Sequence, residues 1–241
     1  MATSIPRRAA GTASTTRRPR VREQAALATQ DNILRAATKV FAKHGFAGGR
    51  IEQISKAAKS HDRMIYYYFG SKEGLFIAVI EDTYRQFNEA ESKLALNLEN
   101  PVEDLKTLVR FMWTYYLQHP EFITLLNSEN LHLGKHISKS VRAREYSSPA
   151  ISLLGRVLAK GVELGLFRPE VRARDLYLMS AALAYFYLSN RFTLSAFLGE
   201  NLEAPEALTH WEAFITAAVV RQVSAAPDET APTIPTIATA S

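Results

Sequence analysis

Residues 61–67 read His61-Asp62-Arg63-Met64-Ile65-Tyr66-Tyr67, a short run crowded with hydrogen-bonding groups. If this is a helix with Ile65 and Phe69 (i, i+4) turned to a core, its other side presents Arg63, Tyr66 and Tyr67, with His61 and Asp62 at its N-terminus. Arg, His and Tyr side chains donate to phosphate oxygens or base edges, and a helix N-terminus favours an anion. The chemistry is recognition of a polyanion. Tyr68, three residues after Ile65, stands between core and surface. A second constellation, Glu129, His132 and His136 at i, i+3, i+7, has metal-ligand chemistry on one helix face and supports an alternative reading, an all-α metal-dependent enzyme. Against it, Gly134 weakens the helix and no pattern for activating water accompanies the three.

The elements around the first run are short and sharply punctuated. Ile33, Ala37, Val40 and Phe41 form one helical stripe that stops at Gly45. Ile51, Ile54 and Ala58 mark a second, short helix, and Lys59-Ser60-His61 is a tight connection to the third, Asp62–Phe69. Two short helices across a tight turn, backed by a longer one, make a helix-turn-helix whose last helix enters a major groove. Beyond it, Ser71 caps a long helix running to about Leu98, and Asn100-Pro101 restarts the chain as cap and first-turn proline. His119-Pro120, Ser148-Pro149 and Arg168-Pro169 are further breaks. No strand pattern competes, so the expected fold class is all-α.

The chain has 241 residues, 47% hydrophobic and 22% charged, enough for a sizeable core. Cysteine is absent, which excludes disulfides and thiolate chemistry. The longest mostly apolar run, Leu176–Leu188, is shorter than the roughly 20 residues a membrane span needs. The net charge of +5 is unevenly spread: residues 1–72 hold 14 Lys/Arg against 4 Asp/Glu, and residues 73–241 hold 15 against 20. A basic front and acidic rear point to a polyanion at the front, nucleic acid or an anionic membrane by charge alone. Residues 1–22, with six arginines and no acid, read as a flexible basic arm; residues 224–241, rich in Ala, Pro and Thr, read as a loose tail. The arm resembles a transit peptide in composition but has no apolar run of a secretory signal and no apolar face to insert in a membrane.

Residues 33–75 resemble the DNA-binding domain of the TetR family of bacterial transcriptional regulators. The matching string is Ile33-Leu34-x-Ala36-Ala37, Val40-Phe41, Gly45-Phe46, Ile51-x-x-Ile54, Ala58 and Ile65-Tyr66-x-Tyr68-Phe69-x-Ser71-Lys72-Glu73-x-Leu75, without a gap. The resemblance implies a DNA-binding unit at residues 23–72 and an effector-binding, dimerising helical unit at residues 73–223. Carried over position by position, it puts Tyr66 and Tyr67 on the DNA backbone or bases and Lys72 on a phosphate; His61, Asp62, Arg63 and Met64 at the start of the same helix complete the expected DNA contacts. Three departures stand out: Lys59 replaces the usual turn glycine, His61 the usual Ser/Thr cap, and Gly49-Arg50 the usual threonine, which leaves Arg50 to supply that phosphate contact. Lys59 would then carry modest strain.

The resemblance further implies an inducer pocket among the central helices, where Phe111–Tyr116 and Tyr185–Tyr187 concentrate aromatics. Arg110, Trp113, Tyr116, Asn130, His132 and Tyr185 are the candidate lining, suited to an aromatic or small carboxylate ligand anchored by Arg110 or His132. It also implies a homodimer through the last two long helices, about 172–189 and 205–223, whose apolar residues include Leu176, Met179, Leu183, Phe186, Leu208, Trp211, Phe214, Ile215 and Val219. The expected function is a cytoplasmic, ligand-responsive repressor of transcription that binds a double-stranded operator as a dimer, with no cofactor, no metal, no catalysis and no membrane partner.

Overall fold

The computed structural model describes residues 17–225, and these are helical from end to end: α1 (Arg17–Gly48), α2 (Ile51–Ala57), α3 (Asp62–Phe69), α4 (Lys72–Glu91), α5 (Pro101–Gln118), α6 (Pro120–Leu131), a 3-10 turn (Ile137–Lys139), α7 (Ala143–Glu163), α8 (Ala173–Leu198) and α9 (Pro205–Val223). Among the described residues the only β pairing is an isolated bridge between Phe167 and Ser224, and no helix is long and apolar enough to cross a membrane. The C-terminal tail from residue 226 on, and residues 1–16 of the expected basic arm, lie outside the described residues. The rest of that arm is corrected: α1 already begins at Arg17. Arg, Gln, Glu and Ala dominate residues 17–28 and are strong helix formers, and Pro19 falls in the first turn, where its missing N–H is harmless.

Two apolar cores form. The first gathers Ile33, Ala37 and Phe41 of α1, Ile51 and Ile54 of α2, Ile65 of α3 and Leu75, Phe76, Val79 and Ile80 of α4. The second is built on α4–α9 from Phe87, Leu105, Met112, Trp113, Phe122, Leu154, Leu176, Ile215 and Val219 among others. α4 contributes to both, its first half to one and Phe87 to the other. α6 also bridges them, with Leu125 seated in the first core.

Several boundaries differ from expectation. α4 ends at Glu91 rather than near Leu98: the Lys93 and Leu94 N–H groups bond back to Ala90 (3.3 Å) and Glu91 (3.0 Å) in tight turns, and Leu98 itself adopts φ 60° with its N–H donated to Asp104 Oδ2 (2.9 Å). Pro149 sits inside α7 instead of starting a helix, at the cost of one backbone hydrogen bond. α8 continues to Leu198 because nothing breaks it before Gly199, which closes it at φ 69°. Ser71 caps α4 as expected, its Oγ accepting the Gly74 N–H at 2.9 Å. The apolar stripes of α8 and α9 divide: Leu176, Ile215 and Val219 are interior, whereas Leu178, Phe186, Phe192, Phe197 and Phe214 face outward.

Candidate nucleic-acid interface

α1 breaks at Gly45 (φ 66°, ψ 179°), and the chain turns into α2 through Gly49, whose missing Cβ would otherwise lie 2.6 Å from the Phe41 ring. This close approach accounts for glycine where a threonine was the expectation. Arg50 follows as the extended residue before α2, its side chain in solvent and its N–H donated to Gln53 Oε1 at 3.3 Å. Between α2 and α3, Lys59 takes φ 51°, the left-handed conformation that the substituted glycine would adopt without strain. The turn is closed by N–H groups of Lys59 and Ser60 bonding back to the carbonyls of Lys56 (3.2 Å) and Ser55 (2.9 Å).

α3 is fixed by one side and offers the other. Ile65 is 0% exposed, whereas Tyr66 and Tyr67 are 51% and 78% exposed. Arg63 and His61 also face solvent, and Asp62 is half-buried. Ser55, Lys56, Ser60, His61, Asp62 and Arg63 line an open polar groove of about 610 Å³ between α2 and the start of α3. Arg50, Lys56, Lys59 and Arg63 have no ion-pair partner among the described residues, so their charge is available to an incoming anion. Tyr68 is half-buried and edge-on to Tyr67, with ring centroids 5.1 Å apart. Met64 is placed less favourably than expected: it packs against the first core, since it lies one residue before Ile65 on the inward-turning flank. Lys72 sits at the start of α4 with Nζ 3.4 Å from the Ala47 carbonyl and 4.9 Å from the Phe46 ring centroid, which tethers its ammonium to the end of α1.

The six effector candidates do not share one cavity. Trp113 is interior, edge-on to Tyr187 at 5.6 Å. Tyr116 stacks on Phe122 at 5.0 Å towards α4 and α6. Arg110 lies on the surface, 3.9 Å from Glu212, beside a cleft of about 430 Å³ with Phe111, Tyr115 and His119. Asn130 faces solvent because it is in the last turn of α6. The Tyr185 hydroxyl donates to Asn127. His132 belongs to the joint between the two cores: its Nδ1 is 2.7 Å from the Ser128 carbonyl and its ring is edge-on to Phe46.

That joint also disposes of the metal-dependent alternative. Glu129 and His136 are both buried. Glu129 Oε1 accepts the backbone N–H groups of His136 (2.7 Å) and Ile137 (2.9 Å), and Oε2 lies 2.7 Å from His136 Nδ1. The carboxylate is thus spent on the loop after α6, and the His136 ring packs on Phe46 (4.3 Å) and Phe76 (5.1 Å). No group of three potential ligands is placed to hold a metal ion among the described residues. Outside the aromatic contact, Lys139 bonds Glu73 at 2.7 Å and holds the Glu73 carboxyl below the usual carboxylate range.

Residues the motif reading did not select are Glu91, Tyr84 and Tyr177. Burial alone pushes the Glu91 carboxyl up to about 7 and, with neighbouring tyrosines, the Tyr84 phenol to about 12. Their signal in the sequence was an acid on an apolar stripe: Thr83, Phe87 and Glu91 follow one another at i+4 and are all buried.

Comparison with known proteins now bears on this geometry. Residues 33–79 match the model of the bacterial regulatory proteins of the tetR family, and residues 101–219 match the tetracyclin repressor-like C-terminal domain. The HTH-type transcriptional repressor NicS of Pseudomonas putida is 53% identical over 206 residues, spanning 86% of this chain and 97% of that protein. The chain belongs to the TetR family. It is accordingly a DNA-binding transcriptional regulator and not an enzyme, and the members of this family respond to small-molecule effectors. A putative transcriptional regulator from Streptomyces coelicolor shares the fold at TM-score 0.61 and 22% identity, covering 81% of this chain and 98% of that one. So does Bacillus subtilis FadR, solved in complex with stearoyl-CoA, at TM-score 0.60 and 19% identity, covering 79% and 97%.

Proposed function

We propose that this TetR-family chain is a homodimeric repressor that reads an operator with α3 and releases it when an effector binds the C-terminal unit. The reading rests on one observation above others: a helix anchored by a fully buried Ile65 turns two exposed tyrosines and an unpaired arginine outward. Tyr66, Tyr67 and Arg63 contact bases or phosphates, and Arg50, His61 and Lys72 contact phosphates flanking them. Dimerisation uses α8 and α9, whose outward Leu178, Phe186, Phe197 and Phe214 form an apolar surface of the kind that marks a protein interface. Two copies then present two recognition helices to successive major grooves. The protein acts in the cytoplasm, with residues 23–72 as the DNA-binding unit and 73–223 as the effector and dimer unit. Repression is also what the name of the Pseudomonas putida relative states for that protein.

The test is operator selection from random duplexes followed by affinity measurement. Tyr67→Ala is expected to weaken operator binding by about 1–3 kcal/mol, a factor of 5 to 150, with the dimer intact. Lys72→Ala should lower the slope of log K against log salt by about 0.9, the value of one phosphate contact. Unchanged affinity in both variants would overturn the placement of α3 on DNA.

A further inference from the structure

Interior carboxylates are normally paired or hydrogen-bonded, because taking a charge out of water costs several kcal/mol. Glu91, the last residue of α4, is 5% exposed, and its carboxyl makes no hydrogen bond or ion pair with any described residue. Tyrosines stand on the neighbouring helices, Tyr116 of α5 and Tyr177 of α8, whose ionisation the Glu91 charge opposes, and Tyr84 stands on α4 itself. The rings of Tyr84 and Tyr116 are held against Phe122 at 5.4 and 5.0 Å, yet none of the three hydroxyls has a hydrogen-bond partner among the described residues. On its other side Glu91 lines a cleft of about 320 Å³ with Asn88, Leu94, Leu96, Leu153 and Arg156. Arg156, on α7, faces solvent and has no ion-pair partner among the described residues.

Hydrogen-bonding capacity that the chain leaves unused in one place is capacity for a ligand. We infer that Glu91 anchors the effector, and that the effector is a small, ring-sized molecule carrying an ammonium or N–H group for Glu91 and an acidic group for Arg156. This assignment rests on the reading of the chain as an effector-responsive regulator. An ionised carboxylate only accepts, so its partner must donate, and a positive partner also removes the cost of burying the charge. Leu94, Leu96 and Leu153 cover the apolar body. A cleft of about 320 Å³ lies at the lower end of the 300–1,000 Å³ usual for ligand sites, which fits one ring rather than a long acyl chain. Because burial raises the Glu91 carboxyl towards neutrality, a cationic ligand binds the ionised form and displaces a proton, so its affinity rises from pH 6 to pH 8.

The experiment titrates the full chain by calorimetry with three probes that share a ring: benzylamine, benzoate and 4-(aminomethyl)benzoate. Operator binding by the unliganded protein is measured on the same samples. The expected order is 4-(aminomethyl)benzoate over benzylamine, with benzoate weakest. Glu91→Gln should weaken both amine probes at least tenfold and abolish their pH dependence. Benzoate binding as tightly as the zwitterion, amine affinity unaltered in Glu91→Gln, or no probe binding at millimolar concentration would each overturn the assignment. If operator binding persists in those cases, only the effector assignment falls. Wild-type protein that fails to bind any duplex would instead remove the regulator reading on which it rests.

Discussion

The outward side of α3 and the last turn of α4 both hold polar groups without a partner among the described residues, and they differ in what surrounds them. On α3 the groups are exposed, cost nothing in the free protein and are held in register by Ile65 beneath them. On α4 the carboxyl of Glu91 is enclosed and raises the energy of the folded state at neutral pH. An exposed recognition surface can be kept ready without penalty, whereas an enclosed one carries stored cost that a fitting ligand relieves. The first suits a long, highly charged partner met by diffusion, the second a small one selected by its chemistry.

The contrast predicts that the anchor of α3 is worth more than any group it displays. Ile65→Ala should destabilise the DNA-binding unit by about 3 kcal/mol, within the 2–5 kcal/mol typical of such truncations, and take operator binding with it. Denaturant unfolding checks the first figure and mobility shift the second. If DNA binding survives Ile65→Ala, α3 is positioned by something other than the first core.

On α4 the sign reverses, because there removal of a group should help. The folded state holds Glu91 protonated up to about pH 7, against 4.5 for an ordinary glutamate. Its contribution is therefore intact at low pH and is lost as pH rises through 7. Melting curves of wild type and Glu91→Gln should run parallel near pH 5 and diverge by pH 8, the variant gaining about 2 kcal/mol after allowance for residual solvent. Parallel curves up to pH 8 would mean that Glu91 has found a partner in solution.

The smallest effect is expected between the two regions, in the α2–α3 turn. Lys59→Gly relieves a left-handed backbone costing about 1–2 kcal/mol but gives back part of it as chain entropy, so stability should rise by less than about 1 kcal/mol. Thermal unfolding would show it, and a loss of stability would place the strain elsewhere.

What could be read from the sequence follows the same division. The three-helix unit was legible because Ile33, Ala37, Phe41, Ile51, Ile54 and Ile65 sit at helical spacing between sharp stops, and because its polar residues face out and bind without tertiary help. Even Lys59 announced its φ 51° as a residue in a glycine's place. The effector region was less legible. Aromatic residues such as Trp113 look alike whether they fill a core or line a pocket, and burial against Tyr187 decided for the core. His132 and His136 shared a spacing with Glu129, but only the fold shows that carboxylate spent on the loop beyond it. Glu91 was legible only as an acid on an apolar stripe, because its burial depends on the helices that pack over the end of α4.

α4 has its two halves rooted in different cores. Its 20 residues make a stiff rod about 30 Å long, so pivoting it by only ~5° carries one tip ~2–3 Å relative to the other. Glu91 is at one tip and Lys72 at the other. A nudge too slight to disturb packing around the carboxyl is, at the far end of such a lever, enough to move Lys72 by more than a hydrogen bond tolerates.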